Sequence, residues 1–415
     1  MPDPGGETRL KRSLTLSDAI AVGLSAMIGA GIFTALSPAA AAAGAGLVVG
    51  LGIAAAIAYC NATSSAQLAR LYPASGGTYV YANERLGDVW GWAAGWSFIA
   101  GKTASSSAVA LTFGTYLAPG YAREFAAGAI VAFTLFNYTG VRRTAGAATA
   151  IVAVVLISLL ITVALVVIGL SGTGEPHLPA GPWSLYGILQ SAGIWFFAFA
   201  GYSRIATLGE EVREPEKTIP RAILLALGIT LVVYTVVAVP VLLLVGPAAL
   251  AAAGAPLVTA VEVAGAGQWA WVVRIGSTCA TLGVLLSLMA GVSRMLFAVA
   301  ADRRLPSALA HVHPVYRTPD IAGLVVGAVL VATVLLVDLR PAIGFSSFCV
   351  LLYYAVTNLA ACRLKPGERL YSRVLPAAGL PGCLVLAFTL PLESVAAGSL
   401  VILAGLVLFR LHRGA

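Results

Sequence analysis

Residues 25–33 read Ser-Ala-Met-Ile-Gly-Ala-Gly-Ile-Phe, "SAMIGAGIF", at the centre of the first long apolar run of a 415-residue chain. Two glycines at mid-run weaken a helix, and an unpaired peptide group in hydrocarbon costs several kcal/mol, roughly. Either the glycines let another helix approach closely, or the helix is interrupted there to offer its backbone to a ligand. The rest of the chain bears on that choice.

The composition is that of a membrane protein: 59% hydrophobic, 10% charged, mean hydropathy +0.93, against about 25% charged residues in soluble domains. A crossing needs about 20 mostly apolar residues. Twelve segments qualify, at 17–43, 45–70, 89–118, 124–142, 145–170, 186–210, 219–246, 269–299, 320–338, 341–363, 374–391 and 393–410. With both termini cytoplasmic, Arg and Lys collect on the inside, from Arg9 and Lys11 through Arg142 and Arg303 to Arg413. Only Arg123, Arg274 and Arg340 fall outside, as the positive-inside rule requires. That bias accounts for the +8 net charge without a nucleic-acid partner. The basic N-terminus leads into a full-length span, so no cleaved signal peptide is expected. The five cysteines sit in or beside apolar runs without CxxC spacing and read as buried thiols. The sequons at Asn61 and Asn137 lie in or near spans and carry no weight.

The sixth span repeats the anomaly of the first. Phe199-Ala-Gly-Tyr-Ser203 interrupts it with small residues. Interrupted segments five spans apart would open two five-helix repeats of opposite topology, and such pairs mark a transporter's binding site. Amides around Gly29, Ala30, Gly31 and Ile32 would hold a carboxylate at the start of a half-helix. Carbonyls of Ser25 to Met27, next to Ile28, and of Phe196 to Phe199 would hold an ammonium. Ala200, Gly201 and Tyr202 complete the expected substrate site. Phe33, Phe196, Phe199 and Tyr202 would line or lid it, Phe33 as a gate.

These stretches resemble a known family. "MIGAGIF" is similar to the first-span signature of the amino acid–polyamine–organocation permeases. "FFAFAGYSRIATLGEEVREPEKTIPRAI" resembles their sixth-span signature. "LYPASGGTYVYANERLG" (71–87) and "SRMLFAVAADRRLP" (293–306) match further on. The resemblance runs nearly the whole chain. It implies an all-α polytopic fold of the LeuT-like, five-plus-five inverted-repeat type, alternating access, and amino acid or amine cargo.

Charged groups inside the spans need their own account. Lys102 lies about 18 Å along the third span from Trp90, at about 1.5 Å per residue, near the midplane, where a charge is functional by default. It reads as a proton switch, since burial disfavours the charged form, as a fixed ammonium in place of a coupling cation, or as a structural lysine on backbone carbonyls. Proton-coupled members of the family carry their lysine in the fifth span, which has none here. Ser277, Thr278 and Thr281 of the eighth span are its candidate neighbours. Arg204, Glu210 and Glu211 follow the second break and are expected to form ion pairs at an inner gate. No Asp or Glu lies at mid-depth in any span, so a dibasic cargo would bring an unpaired cation, at a cost, and neutral amino acids are favoured.

Two other functions compete with transport. Gly169-Leu-Ser-Gly172 fits a rhomboid-type serine motif, but His177, His311, His313 and His412 all lie in loops or the tail, without the base that chemistry needs. A non-transporting sensor would carry an added soluble domain. The expectation is therefore a cell (inner or plasma) membrane amino acid permease, not an enzyme, without metal or cofactor. Residues 1–15 form a cytoplasmic tail, 16–365 a ten-helix transport core, and 366–415 the last two helices with a short tail. Proton-coupled uptake is preferred over the alternative, an exchanger whose cargo includes cationic amino acids or polyamines. Its partners are the bilayer, the amino acid and a proton, and the oligomeric state is left open.

Overall fold

The computed structural model describes residues 14–29, 31–72, 76–139, 145–173, 183–209 and 211–413. Within them the backbone is helical almost throughout, as expected of a chain whose peptide groups must be satisfied internally in lipid. The first crossing is split into α1 (Leu16–Ile28) and α2 (Gly31–Ala43). Thr15 starts α1 with a reciprocal cap: its hydroxyl accepts from the Asp18 amide, and the Asp18 carboxylate accepts from the Thr15 amide. The second crossing is α3 (Leu47–Leu71), followed by a short helix α4 (Thr78–Leu86). Then come α5 (Asp88–Leu117), α6 (Ala122–Tyr138) and α7 (Ala145–Thr173).

The second half repeats this order. Its first crossing is again split, into α8 (Leu185–Phe199), a 3-10 turn over Ala200–Tyr202, and α9 (Ser203–Ala206). After α10 (Pro215–Val245) come two short helices, α11 (Pro247–Ala252) and α12 (Pro256–Val263), in the place that α4 holds in the first half. All three of α10, α11 and α12 begin at proline, whose missing N–H is harmless in a first turn. The repeat closes with α13 (Ala270–Ala301), α14 (Asp320–Leu336) and α15 (Leu339–Cys362). Two further crossings, α16 (Val374–Phe388) and α17 (Leu392–Arg413), complete the chain.

These are the twelve expected passes, with ends displaced by a few residues. Among the described residues six segments are long and apolar enough to cross a membrane by length and composition: Leu16–Leu71, which contains two passes, Gly146–Gly172, Pro215–Val245, Gly267–Ala301, Leu339–Cys362 and Leu392–Leu411. The others are shorter or, like α5, richer in small and hydroxylic residues. α5 buries Lys102, Ser105, Ser106, Ser107 and Thr112, and several of these hydroxyls donate back to a carbonyl four residues earlier. The five cysteines are free thiols.

Candidate functional site

The two interruptions meet at the bundle centre. α1 ends at Ile28 and α2 begins at Gly31; Ala30, expected to share the carboxylate site, lies outside the described residues. The amides of Gly31, Ile32 and Phe33 stand in the first turn of α2 and have no acceptor within their own helix. The second interruption differs from the expected open break. Residues 200–202 tighten into a 3-10 turn with right-handed dihedrals, so the helix narrows instead of unwinding. A 3-10 turn still displaces the i to i−4 pattern and leaves carbonyls available to side chains.

Three side chains take up the carbonyl of Ala200. Lys102 Nζ donates to it at 3.2 Å, Ser203 Oγ at 3.0 Å, and Tyr354 Oη from α15 lies at 3.5 Å. Lys102 is only 6% exposed, so its ammonium is held inside the bundle by the second interruption. Among the described residues no hydrogen bond joins Lys102 to Ser277, Thr278 or Thr281. Ser277 Oγ donates to Arg274 O, and Thr281 Oγ1 to Ser277 O, with the Thr278 carbonyl beside it, all on α13 itself.

A residue the sequence analysis passed over ties the two interruptions together. Tyr234 Oη of α10 lies 2.6 Å from the Met27 carbonyl and 3.0 Å from that of Ala198. One phenolic proton thus serves the C-terminal ends of both leading half-helices. Tyr234 is fully buried, its ring 5.3 Å from that of Phe199. The signal was available: it is the only tyrosine in a 31-residue helix, set in its long apolar part.

The glycines serve close approach as well as interruption. A Cβ on Gly31 would overlap the Tyr234 hydroxyl and lie 2.5 Å from Ala198 Cβ. One on Gly201 would lie 2.5 Å from the Ala26 carbonyl, and one on Gly29 would collide with Val284 of α13. Ser25, Met27, Ile28, Ile32, Phe196, Phe199, Ala200 and Tyr202 are all buried. Phe196 and Tyr202 pack their rings on Tyr354, at 5.6 and 5.1 Å. The Tyr202 hydroxyl is buried with no hydrogen-bond partner among the described residues, a group that a polar ligand would satisfy.

Towards the end opposite the basic loops, Phe33 packs edge-on against Tyr116, whose hydroxyl lies 3.4 Å from the Phe33 carbonyl. Towards the basic end, Arg204 reaches Thr207 Oγ1 at 3.4 Å. Glu210 lies outside the described residues. Glu211 departs from expectation: among the described residues its carboxylate forms no ion pair. Its main chain acts instead, since Leu14 N donates to Glu211 O at 3.0 Å and Arg213 N to Leu14 O at 2.9 Å. The strand-like pairing of Leu14 with Val212 joins the start of α1 to the segment after α9. Ser171, of the rhomboid-like motif, donates to Val167 O on its own helix.

Two split helices placed back to back in a polytopic bundle define a transporter of the five-plus-five inverted-repeat type. The amino acid permease family model matches residues 18–410, and the chain belongs to that family. It is a multi-pass membrane protein, and its relatives are transporters, not enzymes. An uncharacterised transporter of Mycobacterium tuberculosis is 54% identical over 406 residues, covering 97% of this chain and 92% of that one. The branched-chain amino acid permease BcaP of Bacillus subtilis is 26% identical, with 98% and 94% covered. Human cationic amino acid transporter 4 is 28% identical over 88% of this chain and 62% of its own. Among solved structures, MhsT in complex with L-phenylalanine has a TM-score of 0.61 at 13% identity, over 97% of this chain and all of that one. That likeness concerns the fold.

Proposed function

We propose that the protein carries neutral amino acids across the cell membrane by alternating access, coupled to protons, with both termini cytoplasmic. The observation that carries the reading is the Lys102 ammonium on the Ala200 carbonyl. A cation is already seated at the second interruption, and no acid lies at mid-depth in the described helices to balance another. Like charges in a low-dielectric site repel strongly, so the side chain of a dibasic cargo is excluded. The name of the Bacillus subtilis relative, a branched-chain amino acid permease, supports the same class. The substrate carboxylate sits on the first-turn amides of α2, helped by the half-helix dipole. Its ammonium takes the carbonyls of Met27 and Ala198, displacing the Tyr234 hydroxyl. When Lys102 loses its proton it keeps one donor fewer for Ala200, which frees the 3-10 turn to rearrange.

Uptake of labelled leucine and arginine into proteoliposomes, with and without an acid-outside gradient, tests this. Leucine uptake stimulated by the gradient, no arginine uptake, and loss of the stimulation in Lys102→Ala are expected. An unchanged pH profile in that variant removes the proton role of Lys102. Gradient-independent arginine exchange establishes instead the reading favoured by the cationic transporter relative.

A further inference from the structure

α17 changes neighbours along its length. In its first half it leans on α15, where Ser394 Oγ occupies the space a Cβ on Gly344 would need and Gly398 lies flat against the Phe348 ring. In its second half it is stitched to α5: Trp96 Nε1 donates to Val401 O at 2.8 Å, and Trp92 Nε1 to Gly405 O at 2.7 Å. Gly405 is needed there, because a Cβ would overlap the Trp96 indole. The wedge left between α17 and α14, floored by α5 and α15, is a cavity of about 540 Å³. Ligand sites of drug-sized molecules span about 300–1,000 Å³ and are mostly apolar with a few placed polar groups.

This cavity has that character and a direction. Its walls include Trp96, Ala100, Val329, Phe345 and Ala397. Trp96 closes one end, fixed by its bond to α17 and by stacking on Trp92 at 5.7 Å. Glu393, exposed in the first turn of α17, stands at the other, with Thr333 and Ser394 along the way. The Trp96 end points to mid-membrane and the Glu393 end to the surface opposite the basic one. We infer that the cavity holds a lipid: one acyl chain of an aminophospholipid lies along the wedge, and its ammonium meets the Glu393 carboxylate. The bilayer is the only solvent this face meets, and an apolar slot in it fills with a chain. The single carboxylate attracts an amine head and repels an anionic one. No lysine or arginine stands among the cavity's lining residues to hold the carboxylate of a zwitterionic amino acid. Thr103, which lines the floor, follows Lys102 directly, so the lipid rests on the helix that reaches the transport site.

Native mass spectrometry of the intact protein, purified from nanodiscs of equal phosphatidylethanolamine and phosphatidylglycerol, tests the site. Retention of phosphatidylethanolamine over phosphatidylglycerol is expected. Glu393→Gln should reduce that preference by a factor of about two to five, the range of an exposed ion pair. Ala397→Trp, on an exposed position, should fill the slot and release the lipid; Thr333→Trp repeats the test from α14. Equal retention of the two lipids by the unaltered protein overturns the inference. So does phosphatidylethanolamine retention unchanged by both Glu393→Gln and the tryptophan variants.

Discussion

Tyr234 and Gly31 form a pair whose logic is one hydroxyl in one gap. The hydroxyl stands where Gly31 has no side chain and where the carbonyls of Met27 and Ala198 converge. Tyr234→Phe leaves two buried carbonyls without that donor, and an unsatisfied buried polar group costs about 1–3 kcal/mol. A lowered thermal midpoint in detergent is the expected result. If the substrate ammonium takes the same carbonyls, added leucine restores more stability to the variant than to the unaltered protein. Gly31→Ala alone should lose both binding and stability, because the methyl overlaps the hydroxyl. That differs from the expectation of sequence alone, in which the glycine serves only the ligand. The double variant Gly31→Ala with Tyr234→Phe should recover part of the stability, as contacting residues couple in such cycles. Equal thermal midpoints for the single and double variants would show that the two do not share the gap.

At the scale of elements, the sequence disclosed more of the skeleton than of the joints. Twelve apolar runs, glycines at 29 and 31, and small residues at 199–203 are local patterns, and each corresponds to a pass or an interruption in place. The tight turn at 200–202 was not legible, since the same small residues suit a 3-10 turn and an open loop. Tyr234 was invisible for another reason: its partners are main-chain carbonyls 207 and 36 residues away, which no motif records. The latch between α4 and the turn before α16 is equally non-local. Arg85 grips Glu368 through two bonds of 2.8 and 3.0 Å, and its guanidinium lies 5.4 Å from the Tyr72 ring centroid. The hydrogen bonds from Arg85 hold the Glu368 carboxyl below its ordinary value. A depressed carboxylate contributes stability that is present above its unfolded value and lost as pH falls through the folded one. The latch is therefore intact at neutral pH and opens only in acid, below the usual carboxylate range of about 4.3. Glu368→Gln should release α4 already at neutral pH, read as faster amide exchange over residues 78–86 with the other helices unaffected. Unaltered exchange there would mean that Thr78, bonded to Tyr353 and Thr357, holds α4 by itself.

For the molecule as a whole, the residues around the two interruptions are buried, and at the basic end main chain bridges the two repeats. The pairing of Leu14 with Glu211 and Arg213 joins the leading segment of one repeat to the trailing segment of the other. If opening towards the basic side separates α1 from α9, these two bonds belong to the closed state and not to the open one. An interaction present in one state only shifts the equilibrium by its own free energy. Leu14→Pro removes the amide that donates to Glu211 O, and position 14 lies outside the helix, where proline is tolerated. A typical net value of about 1 kcal/mol for one hydrogen bond corresponds to a shift of roughly fivefold towards the open form. The Arg213 amide, which donates to Leu14 O, should then exchange about fivefold faster. Apparent affinity for substrate offered from the opposite side should fall as well, by at most that factor, as fewer molecules face that way. A faster Arg213 amide with unchanged affinity would place the bridge outside the gate; a change in both makes it the main-chain part of the gate that Glu211 was expected to form with its side chain.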